Sequence, residues 1–134
     1  MPISPSPSYH KYDITDYCDI DKAYGSIDDF KQLIEECNKR GIKVIIDLVM
    51  NHSSIGHPWF KEARECKYVN YYTFKKGEQT GNYYQAGTSA YYYEGVFSQQ
   101  MPDLNLGNPD VRKEFEDIAK FWLDLGAAGF RLDG

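Results

Sequence analysis

A near-continuous apolar run that contains a single carboxylate strongly restricts how this chain can fold. Residues Ile42–Met50 are mostly β-branched or aliphatic, and Asp47 interrupts them. Such a run is typical of a strand that is buried on both faces, as in a parallel sheet. A lone carboxylate inside that strand is costly unless it is paired. The run therefore predicts a buried parallel strand and a partner for Asp47.

Helices are predicted on both sides of a long segment that lacks helical periodicity. The first helix is expected over Ile27–Arg40, because Ser26 can cap it and Asp29 stands near the capping-box position. Its apolar residues recur at helical spacing: Phe30, Leu33, Ile34 and Cys37. The second helix is expected over Pro109–Leu125, followed by a short strand over Ala127–Asp133. This alternation indicates an α/β fold with a parallel sheet.

The segment from Ser53 to Leu106 is too long for an ordinary connection and is expected to be functional or a small subdomain. Its dense aromatic content argues against disorder. The tyrosines between Tyr68 and Tyr93 could form outer sugar-binding positions or the core of this segment. The core is the favoured interpretation, because aromatic side chains chiefly supply buried area.

Composition excludes some classes of function. The net charge is −5, which offers no electrostatic support for nucleic-acid binding. No segment approaches the length of a transmembrane helix, and no membrane partner is expected. No signal peptide is recognisable, and its absence carries little weight for this chain. The three cysteines, Cys18, Cys37 and Cys66, form neither a disulfide framework nor a zinc pattern. The cellular location, secreted or cytoplasmic, is left open.

Charged residues at the end of the last predicted strand point to chemistry. Arg131 and Asp133 are two positions apart, so their side chains share one face of the strand. Phe130 and Leu132 are expected to face covering helices. An Arg beside an Asp favours the ionised carboxylate, which could attack an anomeric carbon. A plain buried ion pair is the alternative for these two residues taken alone.

A second polar group follows the buried strand. Asp47 and Asn51 are an even number of positions apart, so their side chains are expected on the same face of the strand, and His52 follows Asn51. His52 could hydrogen-bond a sugar hydroxyl or serve as a structural histidine. Asn51 could offer its side-chain oxygen to Ca²⁺, which prefers oxygen ligands.

Taken together, the motifs resemble those of the α-amylase family, glycoside hydrolase family 13. DLVMNH at Asp47–His52 and GFRLDG at Gly129–Gly134 look like its first and second signature regions, with MPDLN at Met101–Asn105 between them as its extra region. SYHKYD at Ser8–Asp13 resembles the loop after its second barrel strand. Shorter matches are HPWF at His57–Phe60 and NPDVR at Asn108–Arg112.

The resemblance implies part of a TIM (β/α)₈ barrel, from the end of barrel strand 2 through barrel strand 4, with a B domain inserted after barrel strand 3. Residues 1–52 and 107–134 are then barrel segments, and residues 53–106 are the B-domain insertion. Within this scheme Asp103 and its neighbours Met101 and Asn105 either shape specificity or hold the B domain.

The resemblance also implies roles for particular residues. Asp133 matches the catalytic nucleophile of a retaining mechanism, and Arg131 matches the residue that orients and ionises it. Asp47 matches a buried carboxylate that braces the substrate site. The remaining matches are sugar-binding positions at His52, Tyr12 and His10, and a calcium ligand at Asn51.

Two departures from the family pattern affect these expectations. Lys11 stands where glycine is common, so the loop near the cleaved sugar is expected to differ. The acid/base Glu and the third Asp of the family follow barrel strands 5 and 7, which lie outside this sequence. The chain by itself is therefore expected to be inactive, to require the rest of the barrel, and to expose open sheet edges and apolar helix faces.

The implied substrate is an α-glucan such as starch or a maltooligosaccharide, with internal α-1,4 cleavage as the leading hypothesis. An oligo-1,6-glucosidase, a neopullulanase-like enzyme or a transglycosylating relative is the first alternative. A non-catalytic sugar-binding or transporter-associated relative is the second. No organic cofactor is expected.

Overall fold

The computed structural model describes residues 1–63 and 67–133. Cys66 and Gly134, which entered the cysteine pattern and the GFRLDG motif, lie outside the described residues. The helices are α1 (Ile27–Lys39), α2 (Pro58–Ala63) and α3 (Pro109–Asp124), with one 3₁₀ turn at Val69–Tyr71. The strands are β1 (Ile45–Val49), β2 (Phe74–Lys76), β3 (Tyr83–Gln85), β4 (Tyr91–Glu94) and β5 (Gly129–Asp133).

Helix α1 begins at the predicted capping box. The Ser26 hydroxyl accepts a hydrogen bond from the Asp29 amide, and the Asp29 carboxylate accepts from the Ser26 amide. Phe30 and Ile34 are buried, as the helical spacing predicted. Leu33 is half-exposed, which agrees with the expectation that this chain by itself exposes apolar helix faces.

Helix α3 carries the larger buried face. The Asn108 side chain accepts a hydrogen bond from the Asp110 amide, and Pro109 occupies the first turn, where its missing N–H costs nothing. Its buried residues are Val111, Phe115, Ile118 and Trp122. The Trp122 indole N–H donates to the Tyr17 carbonyl at 2.8 Å, which fastens this helix to the N-terminal loop.

Strands β1 and β5 are parallel neighbours, which confirms the parallel pairing expected from the alternation of elements. Asp47 lies opposite Arg131, and Val49 lies opposite Asp133. Phe130 is half-buried against the core, but Leu132 is 68% exposed. No described element packs over Leu132, so the helix expected to cover it is not among the described residues.

Residues 1–26 form turns and bends without a strand, so the end of barrel strand 2 expected there is not seen as a paired strand. The loop is nonetheless fastened. The Ser54 amide donates to the Ile14 carbonyl at 2.9 Å, and the Thr15 amide donates to the Pro5 carbonyl at 2.9 Å. These bonds hold the loop beside the end of β1.

The long segment contains more regular structure than its sequence predicted. Strands β2, β4 and β3 form an antiparallel sheet in that order, and α2 precedes them. Phe60 of α2 packs edge-on against Tyr72 and Tyr93, with ring centroids 5.1 and 4.9 Å apart. The burial of Tyr71, Tyr72 and Tyr93 supports a core role for these tyrosines, whereas Tyr91 is about half-exposed.

Backbone pairing ties the long segment to the end of β1. The Leu104 amide donates to the Asn51 carbonyl at 2.8 Å, and the Ser53 amide donates to the Pro102 carbonyl at 3.2 Å. His52 and Asp103 form an isolated antiparallel bridge between these two bonds. The MPDLN motif therefore lies directly beside the DLVMNH motif.

None of the helices in the described ranges combines the length and apolar character needed to cross a membrane.

Candidate active site

Three charged side chains meet on adjacent strands near their carboxyl ends. Arg131 donates from one guanidinium nitrogen to Asp47 Oδ2 at 2.9 Å and from the other to Asp133 Oδ1 at 3.3 Å. The parallel register places Asp47 opposite Arg131, and the strand period puts Arg131 and Asp133 on one face. The arrangement holds two carboxylates around one cation.

Asp47 is the buried member of this group, with a side chain 5% exposed. Burial acts to raise the pKa of Asp47, and the Arg131 guanidinium at 2.9 Å acts to lower it. The Tyr12 hydroxyl also donates to Asp47 Oδ2 at 3.4 Å. The partner that a buried carboxylate requires is therefore present.

Arg131 remains cationic throughout the ordinary pH range. Its hydrogen bond to Asp47, and a further one with Tyr12, raise its pKa above an already high value. Because its side chain is 54% exposed, this guanidinium faces solvent as well as Asp47. A guanidinium in this position can align a neighbouring carboxylate by hydrogen bonding, as it does for Asp133.

His52 is enclosed, with 2% of its surface exposed. Its Nε2 lies 3.1 Å from the Tyr12 carbonyl, and its Nδ1 lies 3.2 Å from the Asn51 amide nitrogen. These partners fit the neutral tautomer that carries its proton on Nε2. Burial lowers the pKa of His52, although the Tyr12 carbonyl and the Asp133 and Asp13 carboxylates act the other way. Both ring nitrogens are therefore engaged inside the protein.

The loop between the first residues and α1 brings His10 and Tyr12 to the same place. Their rings are stacked, with centroids 6.1 Å apart and planes inclined by 22°. The Tyr12 amide donates to His10 Nδ1 at 3.1 Å. Asp13 follows as a buried carboxylate that accepts from the hydroxyls of Ser6 at 2.6 Å and Ser8 at 2.7 Å. These bonds support the turn that presents both rings.

Asn51 faces the long segment. Its amide nitrogen donates to Asp103 Oδ1 at 3.4 Å, and the same carboxylate oxygen accepts from the Val96 amide at 3.2 Å. Burial raises the pKa of Asp103, and the nearby Glu94 carboxylate adds to the effect, against the two hydrogen bonds. The contact favours the interpretation that Asp103 holds the insertion to β1.

The calcium prediction for Asn51 can be compared with the donors around it. Ca²⁺ takes six to eight oxygen ligands. Across residues 1–63 and 67–133, no group of three or more His, Cys, Asp or Glu side chains is placed to hold a metal ion. The amide nitrogen of Asn51, and not its oxygen, points to Asp103. Ca²⁺ also accepts backbone carbonyl and Asn side-chain oxygens, which such a group does not include, and the ligand role of Asn51 stays a prediction.

The model of the α-amylase catalytic domain matches residues 1–134, which is the whole chain. The chain belongs to the α-amylase family.

Similar proteins carry several activities in their names. The chain is 47% identical to alpha-amylase 3 of Dictyoglomus thermophilum over 99% of its own length and 28% of that protein. It is 43% identical to an oligo-1,6-glucosidase of Parageobacillus thermoglucosidasius over 98% of the chain and 26% of that enzyme. The solved structure of Eubacterium rectale Amy13B superposes with a TM-score of 0.95 at 54% identity, covering all of this chain and 28% of that one.

This α-amylase-family chain spans about a quarter of the length of the curated relatives it matches. Its structural neighbours are TIM-barrel members of glycoside hydrolase family 13, which confirms the prediction of a partial barrel. The motif-based recognition of the family is confirmed by the same findings.

All seven residues predicted from the α-amylase motifs lie in one connected region. Asp47, Arg131 and Asp133 form the charged group, and Tyr12 links it to the remaining three, which are His10, His52 and Asn51. The roles predicted for these residues stay predictions. A groove of about 790 Å³ in the insertion, lined in part by Val69, Phe74 and Tyr91, contains none of them.

Two supporting residues of this α-amylase-family site were missed in the sequence. The Tyr17 hydroxyl is positioned to donate to the carbonyls of His52 at 2.7 Å and Val49 at 3.0 Å, and it therefore braces the turn after β1. Asp13 organises the serines of the N-terminal loop. The SYHKYD motif contains Asp13, but nothing in the sequence connects Tyr17 to a turn far along the chain.

Proposed function

We propose that the full-length protein containing this chain is a retaining glycoside hydrolase of α-glucans, with Asp133 as its nucleophile. The observation that carries the proposal is the Asp47–Arg131–Asp133 group near the carboxyl ends of two parallel strands. In barrel enzymes that end of the sheet is where the chemistry takes place. The family membership and the names of the relatives agree with a glycosidase.

The proposed reaction has two displacements. In the first, an Asp133 carboxylate oxygen attacks the anomeric carbon, the glycosidic bond breaks, and a general acid protonates the departing oxygen. In the second, the conjugate base removes a proton from water, which attacks the anomeric carbon and releases Asp133. The general acid/base is proposed to come from residues beyond these 134, since Asp47 is buried and committed to Arg131.

The other site residues would act on the bound sugar. Tyr12 and His10 are proposed to contact the sugar in the cleaved subsite, and their stacked rings present a surface suited to a pyranose. Asp47 is proposed to brace Tyr12 and Arg131 by hydrogen bonds. For His52 we retain sugar binding as the prediction, although a sugar hydroxyl would have to displace one of its two present partners.

Cleavage of internal α-1,4 bonds is the leading proposal for specificity. The relative at 47% identity is named an α-amylase, whereas oligo-1,6-glucosidases follow at 43% and below. Cleavage of α-1,6 bonds is the second candidate, because those relatives match almost the whole chain. Loops at the carboxyl end of a barrel decide specificity, and most of them lie outside this chain.

The rest of the barrel is proposed to cover apolar residues that this chain leaves exposed. Ile45 of β1 is 60% exposed and Leu132 of β5 is 68% exposed, and Leu33 of α1 is half-exposed. A two-stranded parallel sheet with exposed aliphatic residues needs further strands and helices to bury them. Hydrolysis is therefore proposed for the full-length protein and not for this chain alone.

The test compares the full-length protein with its Asp133→Asn variant on soluble starch, a blocked maltoheptaoside and isomaltose. We expect internal α-1,4 cleavage by the parent and a loss of about 10⁴-fold or more in the variant, or roughly 5 kcal/mol of transition-state stabilisation. Asp28→Asn is the matched control, because that carboxylate is 89% exposed on the outside of α1.

Each outcome decides between named alternatives. Activity only on isomaltose would keep Asp133 as the nucleophile and overturn the α-1,4 proposal. A parent that binds the glucans without cleaving them would be a sugar-binding relative. Equal activity of the parent and Asp133→Asn would remove the nucleophile assignment.

A further inference from the structure

Lys11 has an unusual backbone conformation for a residue with a side chain. Its φ is +68°, in the left-handed region that favours glycine. It lies between His10 and Tyr12, the two residues proposed to contact the sugar. Strained backbone of this kind persists only where its surroundings hold it in place. The contacts of Lys11 identify what holds it.

The Lys11 side chain is 13% exposed. Its ammonium lies 3.0 Å from Asp21 Oδ2, donates to the Ser6 carbonyl at 3.5 Å, and lies 5.9 Å from the centre of the Tyr24 ring. A lysine side chain is seldom buried to this extent unless its ammonium group is paired with an opposite charge. The ion pair with Asp21 therefore anchors the side chain.

Asp21 is itself fixed by the backbone. Its Oδ2 also accepts from the Ser6 amide at 3.3 Å, and its Oδ1 accepts from the Ala23 amide at 2.9 Å. The Asp21 amide donates to the Ile3 carbonyl at 2.8 Å. Each carboxylate oxygen of Asp21 is therefore held by a backbone amide, which fixes this carboxylate more firmly than in an exposed surface ion pair.

The bend at Lys11 determines how its neighbours face each other. The Tyr12 amide donates back to His10 Nδ1, and the two rings stack with planes 22° apart. The left-handed backbone conformation of Lys11 lets the Tyr12 amide turn back towards the His10 ring. A glycine here could adopt the same bend but also many others, since glycine is conformationally permissive.

We propose that Lys11 is a positioning residue, whose ion pair with Asp21 holds the bend that sets His10 and Tyr12 against the bound sugar. The proposal rests on the function proposed above for those two residues. It predicts that loss of the Lys11–Asp21 ion pair weakens sugar binding as well as stability. Lys11 itself does not touch the substrate.

The test uses the full-length protein with Lys11→Met, which removes the charge, Lys11→Gly, which removes the anchor and relieves the backbone, and Asp21→Asn. We expect each to raise KM for maltoheptaose by about three- to tenfold while kcat changes less than twofold. Lys11→Arg, which can keep the ion pair, should restore KM. The Lys11→Met/Asp21→Asn double variant should resemble either single variant, because both remove one interaction.

A second readout does not depend on activity. The ring resonances of His10 should shift in Lys11→Met, whereas those of the buried His57, held by the Trp59 amide, should not. If Lys11→Met does not fold, Asp21→Asn carries both measurements. A parent that hydrolyses no α-glucoside would end the proposed function, and the His10 resonances would still decide the anchor.

Two results would overturn the positioning role. One is a lower Tm in Lys11→Met and Asp21→Asn with unchanged KM and unchanged His10 resonances, which would make the ion pair merely structural. The other is a parental KM in Lys11→Gly, which would show that the bend forms without its anchor.

Discussion

Asp47 and Arg131 are partners in the parallel register of β1 and β5, and their side chains form an ion pair of 2.9 Å. The same guanidinium reaches Asp133 at 3.3 Å. A buried carboxylate on one strand therefore sets the position of a cation on the next, and that cation reaches the proposed nucleophile. The ion pair links the one polar residue of a buried strand to the chemistry proposed for its neighbour.

Replacing Asp47 with Asn should impair catalysis more than folding. Asn keeps the shape of the side chain but removes the charge that holds Arg131, so the guanidinium can turn wholly towards Asp133. We expect a fall of about tenfold or more in kcat of the full-length enzyme, with a smaller change in KM. Steady-state kinetics beside Asp28→Asn measure this, and parental kcat would contradict the bracing role.

Removing the Tyr17 hydroxyl should destabilise the turn after β1. The buried hydroxyl faces the His52 and Val49 carbonyls, and Phe would leave both without this donor. We expect Tyr17→Phe to lose about 1–3 kcal/mol of unfolding free energy. Denaturant unfolding of the full-length protein measures this, with Tyr9→Phe as the control because Tyr9 is 91% exposed. Equal losses in both variants would contradict the prediction.

His57 should make stability depend on pH in the acid range. Burial lowers its pKa to about 4, from an ordinary value near 6.5. The unfolded chain therefore takes up a proton near pH 6.5, whereas the folded protein resists protonation until about pH 4. The stability from this residue is complete above pH 6.5 and is lost as the pH falls towards 4, by about 3 kcal/mol in all.

The measurement for His57 is unfolding free energy between pH 7 and pH 4. His57→Asn should flatten the profile, since an Asn oxygen can still accept the hydrogen bond from the Trp59 amide. Some slope should remain, because burial also lowers the pKa of His52. A profile in the variant as steep as in the parent would assign the acid sensitivity to other groups.

Gly126 and Gly41 offer a matched test of close packing. Both have positive φ, at +109° and +69°, but a Cβ on Gly126 would lie 2.6 Å from the buried Ile34 side chain, whereas one on Gly41 meets no atom within 4 Å. We expect Gly41→Ala to cost about 1 kcal/mol for backbone strain alone. Gly126→Ala should cost about 2 kcal/mol or more, because overpacking is added. Thermal unfolding of both variants would show the difference, and equal costs would contradict it.

Local patterns predicted the barrel elements well. The capping residues Ser26 and Asn108 stand where α1 and α3 begin, and the apolar run gave a parallel strand around Asp47. These features depend on residues within a few positions of each other, and the spacing of residues in the sequence shows such neighbours directly. The α2 helix escaped prediction because its described part, Pro58–Ala63, is too short to show periodicity.

Contacts between residues that are far apart in the sequence were harder to predict. The need for a partner to Asp47 followed from its burial, but the identity of that partner required the register of β1 against β5. The involvement of Tyr17 in the turn that carries His52 has no local signal at all. The sequence predicted exposed apolar faces but did not identify Leu33 and Leu132 as the exposed residues, because helical and strand spacing indicate a face and not what covers it.

Short motifs and local periodicity were enough to identify the family, the order of α1, β1, α3 and β5, and the residues proposed to carry the chemistry. The folded structure was needed to show that Arg131 is shared between two carboxylates, that both nitrogens of His52 are engaged, and that Lys11 is anchored on Asp21. Each of these depends on atoms brought within hydrogen-bonding distance by strand register and loop packing. Sequence spacing does not contain that geometry.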